Sequence, residues 1–317
     1  MITLEHVYIF AGLIFGSIAV ASALDRANPK RFGNAAFWGL LAASFLFGSH
    51  LSDFENGLLV LALVVIGGFN FLGKSAPPTT TPAQQSEIAA RLGNWLFAPA
   101  LIIPFVALLG TLFLKNAQFD GAPLLDAKQV TLISLGLGVV IALIVLMAWL
   151  KPSLLAPVQE GRRLADTIGW ATILPQMLAA LGAVFAASGV GTAVGHIATT
   201  YLPLGTPFAA VLTYCIGMAL FTAIMGNAFA AFPVMTAAIG LPLIVHQFHG
   251  DVVIMAAIGM LAGFCGALTT PMAANFNIVS AALLDLDRNA VIKAQIPTAI
   301  PLLVVNLLLM YFLVFRF

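Results

Sequence analysis

Two polar interruptions in otherwise apolar sequence carry the residues best suited to bind a ligand. In "TAIMGNAFAAFPVMTAAIG" (222–240) the pair Gly226-Asn227 stands where a simple membrane span would hold leucine. In "CGALTTPMAANFNIVSAALL" (265–284) the same is true of Thr269, Thr270, Pro271, Asn275 and Asn277. Unpaired backbone groups facing lipid cost several kcal/mol each, so irregular main chain persists at bilayer depth only against protein or a watery cavity. Broken helices there expose N–H groups and a positive dipole end to anions, and carbonyls to cations.

Gly226-Asn227 reads as a hairpin tip. Gly226 permits the tight turn, and Asn227 offers a hydrogen-bond donor and an acceptor. Thr269-Thr270-Pro271 breaks a helix that begins near Val252, because proline removes one backbone donor and frees a carbonyl a turn earlier. Asn275 then falls in the first turn of a resumed half-helix. The freed carbonyls near Gly226 and at Ala267-Leu268 are candidate ligands for a cation such as sodium.

The elements that must position these residues follow from composition. The chain has 317 residues, 61% hydrophobic and 8% charged, with a mean hydropathy of +1.06. Soluble domains carry about 25% charged residues, so this is an integral membrane protein. A net charge of +1 with no basic run argues against nucleic acid as a partner. Cys215 and Cys265 form neither a disulfide framework nor a CxxC motif, and read as small buried side chains. The first 25 residues carry Glu5 and no basic leader, which favours a retained span over a signal peptide.

A bilayer core takes about 20 apolar residues per helix. Candidate spans are 4–23, 34–50, 57–72, 95–114, 130–150 and 168–187, an apolar block at 207–245, a second at 252–284, and a last span at 297–315. The expected fold is an all-α polytopic membrane protein of about 8–10 segments, including a re-entrant hairpin and a discontinuous helix. Plain scaffold-like helices fill 1–150, and the hairpin and broken helix fall in 151–317. The run 73–93 reads as a Pro/Thr-rich loop and 151–166 as a second loop.

Basic residues orient the chain. Arg26, Lys30, Arg31, Lys74, Arg91, Lys151, Arg162 and Arg163 fall on one side, against Lys115 and Lys128 on the other. The N-terminus is therefore expected outside and 151–166 in the cytoplasm. Arg288 and Lys293 then require an even number of crossings between 167 and 285, satisfied whether 207–245 is re-entrant or crosses fully, and the C-terminus falls outside.

Other polar residues carry less. His246 and His249 with Asp251 have metal-like spacing but fall in an expected outer loop. His196 is expected on a short helix or interfacial segment, with proton sensing as a secondary reading. Glu160, Asp166, Asp285 and Asp287 are expected on solvated cytoplasmic ends, which gives little support to a proton relay. Ser188 and His196 are the nearest approach to an enzyme pair, and Gly189 and Gly191 spoil a common face.

The stretches "LAALGAVFAASGVG", "GNAFAAFPVMTAAIG", "LTTPMAANFNIVSAALLDL" and "LDRANPKRFGNAAFWGL" resemble a bacterial membrane family of the DUF979 type. The resemblance spans essentially the whole chain. It implies one subunit of a 5-oxoproline (pyroglutamate) transporter in the bacterial cytoplasmic membrane, paired with a second, smaller membrane subunit. The family is in turn similar to the ion-transporter superfamily of organic-anion carriers, built from two inverted repeats, each with a hairpin and a broken helix. Gly226-Asn227 matches the hairpin position and Thr269 to Asn275 the broken-helix position. Only one such set is present here, so the resemblance implies that the partner supplies the other, in a complex that is often dimeric.

Under that reading Gly226, Asn227, Ala228, Thr269, Thr270, Pro271 and Asn275 bind substrate, and Gly226, Ala267 and Leu268 face the coupling cation, sodium or a proton. No other cofactor, metal or catalytic residue is expected. A carrier for another carboxylate of gluconate or dicarboxylate type, and a non-transporting scaffold, are the alternatives.

Overall fold

The computed structural model describes residues 2–75, 81–115, 117–119, 122–284, 286–287 and 289–316. Its contacts divide it into two units, Met1–Asp166 and Thr167–Phe317. Among the described residues, seven helices are long and apolar enough to cross a membrane. The chain is thus an α-helical multi-pass membrane protein. Its short β-ladder, β1 (Gln118–Phe119) with β2 (Ala122–Pro123), lies between two helices.

The first unit contains α1 (Leu4–Ala23), α2 (Arg31–Phe47), α3 (Asp53–Gly68), α4 (Pro82–Leu92), α5 (Ala98–Leu109), α6 (Val130–Leu150) and most of α7 (Ala156–Ile168). Helices α1 and α2 pack through aromatic rings. Phe15 stacks on Trp38 at 5.9 Å and on Phe45 at 5.6 Å, and Phe37 meets Trp38 edge-on at 5.0 Å. Helix α3 starts from a reciprocal cap, in which the Ser52 main-chain N–H donates to Glu55 Oε2 at 2.8 Å and the Glu55 N–H donates back to Ser52 Oγ at 3.3 Å. The Ser52 N–H, together with the Ser52 hydroxyl donating to the same Oε2 at 2.8 Å, holds the exposed Glu55 carboxyl below its usual range.

Two expected loops are helical. Within 73–93, Thr81 and Gln84 exchange capping hydrogen bonds of 3.0 and 3.3 Å, which start α4 despite its polar composition. Residues 76–80 of that run lie outside the described residues. Within 151–166, α7 puts charged residues on two faces. Arg163 and Glu160 pair at 2.8 Å on the partly exposed side, whereas Arg162 and Asp166 are buried. The expectation that Asp166 lies on a solvated face is therefore corrected: helical spacing turns it, with Arg162, toward α1 and α2.

The second unit holds α8 (Leu174–Ala187), α9 (Val190–Tyr201), α10 (Pro207–Met225), α11 (Ala228–Met235), α12 (Val252–Ala267), α13 (Val279–Leu283) and α14 (Ala290–Leu313). A π-helical stretch, Thr236–Gln247, continues α11 through Pro242, and a second, Ala274–Ile278, precedes α13. At 1.5 Å per residue, α10 is about 28 Å long, and 228–247 is likewise long and apolar enough to cross a membrane. Each arm of the apolar block can therefore reach across a bilayer core. The last helix begins at Ala290, earlier than expected, and accommodates Pro297 and Pro301.

The core of this unit lies where α10, the 236–247 stretch, α12 and α14 meet. Val211, Tyr214, Cys215, Met218, Ile239, Ile244, Met255 and Met310 are all fully buried there. Helix α12 approaches α10 closely because it presents glycines. A β-carbon at Gly259 would lie 2.5 Å from the Tyr214 hydroxyl, and one at Gly266 would collide with the Ala219 carbonyl. Such small-residue contacts are how membrane helices pack without a hydrophobic driving force.

Candidate functional site

Helix α10 stops because Gly226 adopts a left-handed conformation, φ +80°, with its N–H donating to the Thr222 carbonyl at 2.7 Å. Asn227 follows in extended conformation. Its Oδ1 accepts the Phe229 N–H at 2.8 Å and caps α11. The pair is thus a helix-to-helix turn. Half of the Asn227 amide is committed to the cap, which leaves its NH2 as the group that can face a ligand. Ala228 is buried, packed on α12 at Gly263.

Helix α12 ends at Ala267, and residues 268–273 are irregular. Thr269 Oγ1 donates to the Gly266 carbonyl at 2.8 Å, and Thr270 Oγ1 accepts the Met272 N–H at 3.2 Å. Both hydroxyls, expected to support substrate, therefore hold the break together. Thr270 is buried and Pro271 half-buried. Asn275 lies in the resumed turn, but its side chain is outside the described residues, as are Asp285 and Arg288.

Asn277 organises the break more than any residue assigned from sequence. It is fully buried, and its Nδ2 donates to the Ala267 carbonyl at 3.0 Å and the Thr270 carbonyl at 2.6 Å. The side chain closes the C-terminal end of α12 and ties it to the half-helix seven residues on. The carbonyl of Ala267, an expected cation ligand, already accepts this bond. Asn277 Oδ1 and Thr222 Oγ1, both buried, have no protein partner.

The two interruptions meet. A β-carbon at Gly226 would come within 2.5 Å of the Met272 carbonyl oxygen, so the turn after α10 sits directly on the irregular main chain after α12. An aromatic chain borders the crossing. Phe229 meets Phe264 edge-on at 6.1 Å, and Phe264 meets Phe276 at 5.9 Å. The locus thus gathers two helix C-termini, the N-terminus of α11, the amides of Asn227 and Asn277 and an aromatic wall, with no charged side chain among the residues named here.

The weaker candidates take other roles. Asp251 Oδ1 accepts the Val253 and Ile254 N–H groups, each at 2.8 Å, and caps α12. His246 lies in the last turn of the 236–247 stretch, and His249 has φ +55° in the turn that follows. His196 is exposed on α9. Among the described residues no group of three or more His, Cys, Asp or Glu side chains is placed to hold a metal ion.

This architecture defines a polytopic α-helical membrane protein with a capped helical turn resting on a broken helix. Residues 5–315 match the family described as "Protein of unknown function (DUF979)", and the chain belongs to that family. Comparison with curated proteins and with solved structures gives no match.

Proposed function

We propose that the chain is one subunit of a secondary active transporter for a small organic anion, 5-oxoproline being the substrate class favoured. The observation that carries this reading is the contact between Gly226 and the Met272 main chain, which brings two helix interruptions to one place. A carboxylate suits the first N–H groups of α11, of which those of Ala228 and Ala230 have no carbonyl four residues earlier in the helix. A lactam suits the Asn227 amide, whose NH2 complements the ring carbonyl. The three phenylalanines flank an uncharged ring without competing for its polar atoms.

Moving an anion inward against a negative-inside potential costs about 2.3 kcal/mol per 100 mV, so uptake is coupled to a cation, sodium or a proton. One set of hairpin and break furnishes half of a two-repeat site, and a second membrane subunit furnishes the other half. Uptake of labelled 5-oxoproline, in cells with and without that subunit and with sodium replaced by choline, tests the reading. Uptake should require both subunits. Full uptake by this chain alone contradicts the shared site, and no 5-oxoproline uptake with both subunits present contradicts the substrate.

A further inference from the structure

The first unit holds a buried charge group that the transport reading does not use. Arg162 and Asp166, one turn apart on α7, are 7% and 8% exposed. Arg162 Nη1 donates to the Ala21 carbonyl at 2.6 Å, and Nη2 faces the Asp25 carboxylate at 3.5 Å, just past the end of α1. Asp166 Oδ1 accepts the indole N–H of Trp38, on α2, at 2.8 Å. Asn34, also on α2, and Ser75 lie beside the same carboxylate. The charged group acting on Asp166 is Arg162 from its own helix, with Asp25 behind that guanidinium; α2 and the segment after α3 offer it Trp38, Asn34 and Ser75, while Lys30 bonds Asn70 and Lys74 is exposed. Glu160 and Arg163 pair with each other on the half-exposed side of α7.

Arg162 is paired with Asp25, and among the described residues the Asp166 carboxylate has no ion pair of its own. With all three ionised, the cluster carries one uncompensated negative charge in a buried setting, where isolated charge is strongly disfavoured. The atoms left over mark where it falls: Asp166 Oδ2 and Arg162 Nε are buried without a partner. A proton on Oδ2 removes the excess charge. It keeps the Trp38 bond at Oδ1 and leaves Arg162 with Asp25 as a neutral pair.

We propose that Asp166 is a proton-binding site of the first unit. Binding forms one O–H bond at Oδ2 and breaks none. Release leaves a carboxylate one helical turn from Arg162, in competition with Asp25 for the guanidinium. Proton occupancy thus sets how firmly Arg162 holds α7 to the end of α1. A purely structural pin would not need the acid, since an asparagine at 166 also offers an oxygen to the Trp38 N–H. The inference does not depend on the substrate or on transport.

The test uses Trp38 as reporter in the full-length protein, in lipid nanodiscs, with Trp95, Trp149 and Trp170 changed to Phe. Indole fluorescence is followed from about pH 4 to about pH 9, the range in which perturbed carboxyls titrate. One reversible transition is expected, abolished by Asp166→Asn and kept, with a moved midpoint, by Asp25→Asn. Absence of any transition overturns the proposal, as does a transition that survives unchanged in Asp166→Asn. Should Asp166→Asn not fold, Asp166→Glu must show a displaced transition, and one that is absent or undisplaced overturns the proposal equally.

Discussion

Gly226 lies against the main chain of Met272: a β-carbon added at 226 would stand 2.5 Å from the Met272 carbonyl oxygen and 2.7 Å from its carbonyl carbon. Residues 46 positions apart therefore form one locus. On the Met272 side the contact is carbonyl main chain, so changing that side chain does not relieve it, whereas Gly226 cannot be exchanged for a residue that carries a β-carbon.

Gly226→Ala should destabilise the second unit for two separate reasons. A non-glycine residue in the left-handed region costs about 1–2 kcal/mol, and the new methyl must displace main chain rather than a flexible side chain. Thermal unfolding in detergent should show a lowered midpoint. Met272→Ala should not rescue it, because the carbonyl atoms in the way remain. An unchanged midpoint would mean that the turn and the break do not touch.

Asn277→Leu preserves approximate volume but leaves the Ala267 and Thr270 carbonyls without their donor. Loss of a buried partner costs roughly 1–3 kcal/mol per group, so the variant should melt lower than wild type. Asn277→Asp also lacks the donor and should be no better. A stable Asn277→Leu protein would show that the break is held by other contacts.

Asn227→Ala should abolish uptake while the protein still reaches the membrane, since loss of an N-cap costs only about 1 kcal/mol. Asn227→Ser restores a capping oxygen but not the NH2. Uptake should be lost in both variants at normal protein levels. Recovery in the serine variant would assign Asn227 to capping alone, and normal transport by Asn227→Ala would remove the turn from the site.

Much of this was legible in the sequence because the bilayer makes polar interruptions expensive. Gly226-Asn227 and Thr269-Thr270-Pro271 stand out against apolar neighbours, and both mark real breaks. That the breaks touch was not legible. It depends on Gly259, Gly263 and Gly266 letting α12 sit close on α10, and no local pattern fixes which helices become neighbours. Asn277 was visible as a polar residue, but its role as donor to two carbonyls depends on the path of 268–273. In the first unit, the density of charge in 151–166 suggested a loop. The i, i+4 spacing of Arg162 and Asp166 was the available sign of a helix with a buried polar face. Likewise Thr81 followed by Gln84 was a capping box hidden in a Pro/Thr-rich run.

The central claim is that the crossing of the two breaks receives the anion. It is tested most directly by protection from thiol labelling, with Cys215 and Cys265, both buried, replaced by alanine. Phe229→Cys and Met272→Cys, both at exposed positions bordering the crossing, are introduced separately, the partner subunit is co-expressed, and a thiol reagent is applied with and without 5-oxoproline. The account predicts that substrate slows labelling at both positions and leaves a control cysteine at exposed Leu154 unaffected. Equal labelling with and without substrate at 229 and 272, in a complex that takes up 5-oxoproline, would contradict it.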